Sequence, residues 1–146
     1  MNLSASIVIE RPIEEVFSFI SRIENMPRWV TGVAAARLDS PEMTTGASFR
    51  VSYSQGFRAD TVVMEVITFE PPRIFETRSS RAPFQFAGSL ILEEYESGTL
   101  ITNTIEADAD SLSTRLATLM LGPFLARSMQ KRLHRELRSL NRAIGS

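Results

Sequence analysis

The chain contains 146 residues, of which 43% are hydrophobic and 23% are charged, and its formal net charge is -1. This size and composition are typical of one globular domain, and we predict a single domain over residues 1–146. The nearly balanced charge argues against nucleic acid as a partner, because such binding requires the neutralisation of many phosphates. The absence of cysteine excludes disulfides, thiolate zinc sites and cysteine nucleophiles.

The sequence contains no segment that approaches the ~18 consecutive apolar residues of a membrane-spanning helix. Its first residues lack the basic stretch and the apolar run of a signal peptide. We therefore expect a cytoplasmic protein with no integral membrane association.

Residues 1–30 predict a strand followed by two short helices. Residues 3–10 alternate between apolar and polar side chains, which is the pattern of a half-buried strand. A helix is expected to begin at Pro12, since proline is tolerated in the first helical turn, and its apolar stripe consists of Ile13, Val16, Phe17 and Ile20. Pro27 favours a second short helix or turn over residues 24–30, which carries Trp29, the only tryptophan.

Residues 33–110 predict six further strands in an antiparallel meander. Turn signals that contain proline or glycine separate short alternating segments at regular intervals, and no helical pattern lies between them. The sheet would then have about seven strands in total. The clearest candidates for its inner face are Phe49, Val51, Tyr53, Val62, Met64, Val66, Phe84, Phe86, Leu90 and Leu92.

Residues 111–144 predict a long C-terminal helix, because leucines recur there at helical spacing. Gly122 and Pro123 interrupt the pattern, and an interior proline removes a backbone hydrogen bond, so a kink or a break is expected. The apolar face of the sheet must be buried, and only the helices can cover it. The predicted fold class is therefore α+β, with a curved antiparallel sheet of about seven strands around the C-terminal helix and two short helices after strand 1.

Several short motifs follow one another along the chain. They are Arg11-Pro12-Ile13-Glu14-Glu15-Val16-Phe17 after the opening strand, residues 23–29 with Pro27 and Trp29, Gly46 before a long strand, Glu70-Pro71-Pro72, and Ser97-Gly98-Thr99 before the last strand. In their order and spacing the whole chain resembles the START-related superfamily, the helix-grip group that includes birch-pollen-allergen-like proteins and polyketide cyclases/dehydrases. The resemblance implies a helix-grip fold. It does not select one activity, since the superfamily includes lipid and hormone binders as well as aromatic-ring cyclases.

A sheet that curls around a helix can leave an apolar cavity between the two layers. We expect a cavity of roughly 300–1,000 Å³, suited to a small molecule. The same aromatic side chains could instead be plain core residues. The candidate ligand-binding residues are Trp29, Phe49, Val51, Tyr53, Val62, Met64, Phe84, Phe86, Leu90, Met120, Phe124 and His134.

Few side chains are candidates for moving a proton. His134, the only histidine, could be a hydrogen-bond donor or general base at the cavity edge, or a solvated histidine among arginines. The hydroxyl of Tyr53 could face the cavity or reach the sheet edge. Four charged residues on predicted strands could point inward or form salt bridges on a solvated face: Arg58, Asp60, Glu76 and Arg78.

Three functions remain open at the level of sequence. The favoured one is binding of a small hydrophobic ligand, lipid-like or aromatic and polyketide-like, by a monomer or a homodimer. The second is a polyketide cyclase or dehydratase type of enzyme that uses a cavity tyrosine, histidine or carboxylate, and the third is a protein-interaction module with a filled core. We expect no cofactor and no metal, because the chain has one histidine and no Gly-rich phosphate loop.

Overall fold

A computed structural model describes residues 2–55, 58–81, 85–107 and 112–145; for residues 54, 55, 58–60, 81 and 112–126 it describes the backbone only. Strands and helices account for most of these residues. In chain order they are β1 (Asn2–Ile9), α1 (Ile13–Ser21), a 3₁₀ helix (Ile23–Arg28), β2 (Val33–Leu38), β3 (Ser48–Gln55), β4 (Arg58–Glu70), β5 (Ile74–Arg81), β6 (Phe86–Tyr95), β7 (Gly98–Ala107) and α2 (Leu112–Gly145).

The strands form one antiparallel sheet in the order β1-β7-β6-β5-β4-β3-β2. Strands β2 to β7 therefore follow one another as a meander, and β1 joins by pairing with β7. Shifts of register occur within the β2–β3 pair and the β4–β5 pair, and such irregularities bend a sheet and increase its twist. The predicted curved antiparallel sheet of about seven strands, with two short helices after the first strand, is confirmed.

The core lies on the inner face of this sheet. Alternation along β3 and β4 places Phe49 opposite Met64 and Val51 opposite Val62, and all four side chains are buried. The apolar stripe of α1 covers part of this face, as the spacing of its isoleucine, valine and phenylalanine residues predicts. Sheet and helices therefore bury their apolar faces against each other.

The sequence predicted a kink or a break at Gly122 and Pro123; the C-terminal helix α2 continues through both residues, so the break does not occur. An interior proline removes one backbone hydrogen bond, and the many remaining bonds of a long helix carry the chain through this point. In the half of α2 whose side chains are described, Leu133, Leu137 and Leu140 are buried. No helix in the described part of the chain has the length and apolar character needed to span a membrane.

A close contact joins the end of β1 to the start of β7. A Cβ atom at Gly98 would collide with the backbone carbonyl of Ile9, so this position has room only for glycine. The next residue, Thr99, is fully buried, and its hydroxyl donates a hydrogen bond of 2.8 Å to the carbonyl oxygen of Arg11. This contact, which explains the Gly98-Thr99 motif, fixes the chain where it leaves β1 for α1.

Candidate functional site

A cavity of about 140 Å³ lies between the inner face of the sheet and the helices. Its described walls come from β3 to β7, α1, the 3₁₀ helix with the turn after it, and α2. The volume is smaller than the roughly 300–1,000 Å³ expected from the sequence. Part of the reason is that Ile20 of α1 and Ile23 and Met26 of the 3₁₀ helix project into the space between the layers.

The sheet wall is formed by side chains that share the inner face. In the paired strands β5, β6 and β7, Phe75 lies opposite Leu90, and Leu90 lies opposite Asn103. Residues directly opposite each other point to the same face, so these three form a row across the cavity wall. The neighbouring row, one alternation further along, consists of Thr77, Gly88 and Ile105.

Gly88 leaves part of the cavity open because it has no side chain. A Cβ atom at this position would lie 3.6 Å from Cδ1 of Ile105 and 3.9 Å from Oγ1 of Thr77, which are ordinary van der Waals distances. Both neighbours also line the cavity. A larger residue at Gly88 would therefore occupy cavity space without a collision at its first carbon.

The helical wall includes Trp29, which follows the 3₁₀ helix and is 7% exposed. Trp29 is one of the residues that line the cavity. The turn after Trp29 leads into β2, where Val33 lies opposite Tyr53, another lining residue. Within the part of the chain that the structure describes, Nε1 of Trp29 is buried and has no hydrogen-bond partner.

Glu136 of α2 also lines the cavity, although only 5% of it is exposed. Its Oε1 accepts a hydrogen bond of 3.0 Å from Nε of Arg132. Arg132 Nη2 in turn donates to the carbonyl oxygen of Thr31 at 2.9 Å. This Arg132–Glu136–Thr31 clamp ties α2 to the turn that follows Trp29.

Electrostatics at this end of the cavity are set mainly by burial. Burial raises the pKa of Glu136 above its usual range. The positive charge of Arg132 lowers the same pKa, but its effect is smaller than that of burial. Burial also raises the pKa of Tyr53, with smaller opposing effects from Arg132 and Glu136, so its hydroxyl is neutral at physiological pH. We call Trp29, Tyr53 and Glu136 the polar end of the cavity.

The structure brings together seven of the residues predicted from the sequence to bind a ligand. These seven line the cavity: Trp29, Phe49, Val51, Tyr53, Met64, Phe86 and Leu90. Three further predicted residues, Phe84, Met120 and Phe124, have side chains outside the described part of the chain.

Val62 and His134 do not line the cavity. Val62 is on the inner face but is packed within the buried core, where its short side chain does not reach the open space. His134 is exposed and lies one position beyond the buried Leu133. Its Nε2 lies 3.3 Å from Nε2 of Gln130, which donates a hydrogen bond to the carbonyl oxygen of Ser4 in β1. The interpretation of His134 as a solvated residue therefore fits its position.

The charged residues predicted on strands do not supply inward groups where they are described. Arg78 is exposed, and its Nη2 lies 3.5 Å from Oε2 of Glu65 on the neighbouring strand, a salt bridge on the outer face. Glu76 alternates with the lining residues Phe75 and Thr77 and is not part of the wall. The side chains of Arg58 and Asp60 lie outside the described residues.

Several lining residues were not predicted as ligand contacts, and two of them carried a usable signal. Gly88 falls between Phe86 and Leu90 in the alternation of β6, so it shares their face. Glu136 lies three positions after Leu133, within the apolar stripe of α2, and a charge in such a stripe indicates a buried polar site. The described residues include no cluster of three or more histidine, aspartate and glutamate side chains that could hold a metal.

A curled sheet closed by a C-terminal helix, with an apolar cavity between them, defines a helix-grip fold. Solved structures share it over the whole chain. TTHA0849 from Thermus thermophilus superimposes with a TM-score of 0.80 at 14% sequence identity, and the match covers 99% of this chain and 97% of that chain. A START superfamily protein from Mycobacterium smegmatis superimposes with a TM-score of 0.76 at 11% identity, over 99% of this chain and 97% of that chain. The di-domain ARO/CYC protein BexL from the BE-7585A biosynthetic pathway superimposes with a TM-score of 0.75 at 13% identity. This match covers 100% of the present chain and 50% of BexL. Such low identities show the fold alone.

The sequence profile of the family described as "Polyketide cyclase / dehydrase and lipid transport" matches residues 1–145. The chain belongs to this family. The predicted relation to START-related helix-grip proteins and polyketide cyclases is thereby confirmed. No curated protein matches the sequence.

Proposed function

We propose that the protein binds a small hydrophobic molecule in the cavity between the sheet and α2. The observation that carries this proposal is the cavity itself, about 140 Å³ of space behind a predominantly apolar wall. Burial of apolar ligand surface against such a wall is favourable by about 25 cal/mol for each Å² removed from water. The family description, which includes lipid transport, supports the same function.

The size of the cavity favours a compact ligand. A cavity of about 150 Å³ in another protein admits benzene, so the present volume corresponds to one ring with few further atoms. Longer lipid-like molecules would need displacement of the side chains that fill the rest of the space, such as Ile23 and Met26. The size of the cavity therefore favours an aromatic ligand over a lipid-like ligand. A protein-interaction module with a filled core is disfavoured by the presence of the cavity.

The test is calorimetric titration with the one-ring compounds acetophenone and α-methylstyrene, using a variant that fills the cavity. Gly88→Val places a branched side chain in the cavity and should abolish binding. Ala87→Val is the matched control, because the adjacent residue of β6 faces away from the cavity. A saturating compound at about a hundred times its dissociation constant should also add about 2.7 kcal/mol to the free energy of unfolding.

Binding by the wild type and Ala87→Val but not by Gly88→Val would support the proposal. No binding of either compound, or equal binding to both variants, would refute a cavity ligand of this size. Native mass spectrometry of protein purified from its own host would then identify the natural ligand by its mass.

A cyclase or dehydratase activity is a second candidate, favoured by the buried carboxyl of Glu136, which lines the same cavity as Tyr53. A group with a raised pKa can carry a proton at neutral pH, and both residues line the same space. The substrate would be a short poly-β-ketone chain. Mass spectrometry should detect cyclised or dehydrated product with wild type and not with Glu136→Gln, while both proteins bind the compound. Equal product yields with and without protein would exclude this activity for that substrate.

A further inference from the structure

Asn103 of β7 has a buried polar side chain without a hydrogen-bond partner. In the described part of the chain, four polar or charged residues are buried: Ser79, Thr99, Asn103 and Glu136. The side chains of the other three are each hydrogen-bonded within the fold. Asn103 is 6% exposed, and its carboxamide has no such bond to any described group. Buried polar groups in native proteins almost always have a partner, so this exception calls for a physical explanation.

The neighbours of Asn103 on the inner face of the sheet are apolar. Across the sheet it lies between Ala5 of β1 and Leu90 of β6, and residues directly opposite each other point to the same face. Along β7 the same face carries Ile101 and Ile105, two positions before and two positions after Asn103. None of these four side chains has a hydrogen-bonding group. The sheet therefore gives the carboxamide no partner on its own face.

The carboxamide is accessible from the cavity. Among the described residues, Nε1 of Trp29 is the only side-chain nitrogen or oxygen that is both fully enclosed and without a partner. The unpartnered Oδ1 and Nδ2 of Asn103 therefore keep some accessible surface. Asn103 lines the cavity, and the sheet itself lies behind it, so this surface opens into the cavity. A molecule in the cavity can thus form hydrogen bonds with the carboxamide.

The chemistry of a carboxamide restricts the groups that pair with it. Oδ1 is an acceptor and Nδ2 is a donor, and the two atoms lie side by side. A ligand that displaces water from such a site loses affinity unless it replaces the hydrogen bonds that water makes there. A hydrocarbon replaces neither bond, and a ketone oxygen accepts only from Nδ2. An amide or a lactam offers a donor and an acceptor at the matching spacing, so it pairs with both atoms.

The charges of the cavity wall favour a neutral ligand. Among the described lining residues, Glu136 has the only carboxyl group, and none has a basic side chain. An anionic ligand would therefore lie against an apolar wall without a cation beside it, which is costly. A cationic ligand would compete with Arg132, which is already bonded to Glu136.

We propose that Asn103 is the polar anchor of the cavity and that it selects a neutral, single-ring molecule with an adjacent hydrogen-bond donor and acceptor. This inference rests on the proposed binding function and specifies its ligand class. Aromatic amides and lactams are the simplest members of the class.

Three compounds of nearly the same shape test this selection. Benzamide has a donor and an acceptor, acetophenone has the acceptor alone, and α-methylstyrene has neither. Calorimetric titrations compare the wild type with Asn103→Leu, whose side chain has nearly the same shape but no polar atom. Each compound is compared with itself in two proteins, so the hydration of the free compound cancels.

Loss of the carboxamide should weaken binding in proportion to the hydrogen bonds lost. Relative to the wild type, Asn103→Leu should bind benzamide about 25-fold more weakly and acetophenone about fivefold more weakly, the effects of two hydrogen bonds and of one. Its affinity for α-methylstyrene should not fall. The matched control Thr102→Val changes the adjacent residue of β7, on the outer face, and should bind all three compounds as the wild type does.

Two further measurements separate an anchor from a structural residue. Without ligand, the Tm of Asn103→Leu should equal or exceed that of the wild type, because an apolar group of the same size replaces a polar group that has no bond within the fold. In wild-type protein labelled with ¹⁵N, the side-chain NH₂ resonances of Asn103 should move downfield with benzamide and acetophenone. They should not do so with α-methylstyrene.

The outcomes distinguish this inference from the binding function. Equal losses of affinity for all three compounds in Asn103→Leu, a lower Tm of this variant, or NH₂ resonances that do not respond to benzamide would overturn the inference and leave cavity binding intact. Failure of all three compounds to bind the wild type would overturn both. Graded losses of affinity, with the downfield shift for the two oxygen-containing compounds alone, would establish Asn103 as the anchor of the ligand.

Discussion

The exchange of Gly88 for valine should make the protein more stable, although it should abolish binding in the cavity. The first added carbon would meet Ile105 and Thr77 at 3.6 and 3.9 Å, so it fits without displacement of the backbone. Loss of the conformational freedom of glycine in the unfolded chain contributes about 0.4–1 kcal/mol. The valine side chain adds up to about 0.8 kcal/mol for each carbon that becomes buried. We expect a net gain of about 2 kcal/mol, since part of the valine remains near open space.

Thermal and urea unfolding in the absence of ligand measure this gain. A chain of this length should show a rise in Tm of about 2–4 °C for each kcal/mol, or about 4–8 °C for Gly88→Val. The control Ala87→Val changes the outer face of the same strand and should shift the free energy of unfolding by at most about 1 kcal/mol. If Gly88→Val were less stable than wild type, valine would not fit, and the space beside Gly88 would not be the open part of the cavity.

Three further predictions concern the framework and the polar end. Thr99→Val removes the hydroxyl that donates to the carbonyl of Arg11, and it should lower the free energy of unfolding by about 1–2 kcal/mol in urea unfolding. The control Thr102→Val lies on the outer face of the same strand and should change this free energy by less than about 0.5 kcal/mol. Equal effects of the two variants would contradict this role of Thr99. Gly98→Ala places a Cβ against the backbone and should cost more than Thr99→Val in the same assay; a neutral effect would contradict the close contact. Burial raises the pKa of Glu136, so the folded state holds the proton of this carboxyl more tightly than the unfolded chain does. The protonated carboxyl therefore contributes its full stabilisation of the fold at pH values below the ordinary pKa of 4.5. This contribution is lost as the pH rises through the raised pKa of the folded state. Glu136→Gln should therefore gain stability relative to wild type between acid and neutral pH in unfolding titrations, and a constant difference would contradict the raised pKa.

The sequence predicted the fold well because its signals are local and repeated. Alternation in β3 and β4, and turns that contain proline or glycine, define strands without knowledge of their partners. The seven-stranded antiparallel sheet follows, since short connections favour pairing of neighbours. Of the kink or break expected at Pro123, the break does not occur, because the many other hydrogen bonds of a long helix hold the chain together there.

The cavity wall was only partly predictable. Alternation places Val62 and Met64 on the same face, but it does not tell which of them borders open space, because that depends on the side chains packed opposite. Glu136 lies within an apolar stripe, and its burial depends on partners that come from a distant turn. On a helix, a shift of one position in the sequence changes a side chain from buried to exposed. Leu133 is buried, whereas the next residue, His134, is exposed.

The position of the only tryptophan gives the protein an optical signal of its own state. Trp29 is buried against the cavity, and no second indole contributes to emission when the sample is excited selectively at the red edge of tryptophan absorption. Any occupant changes the surroundings of this one fluorophore, by displacement of water, by quenching or by energy transfer. Unlabelled protein can therefore be screened against mixtures and extracts in ordinary cuvettes, and a change in intensity or wavelength reports on the cavity without contributions from other tryptophans.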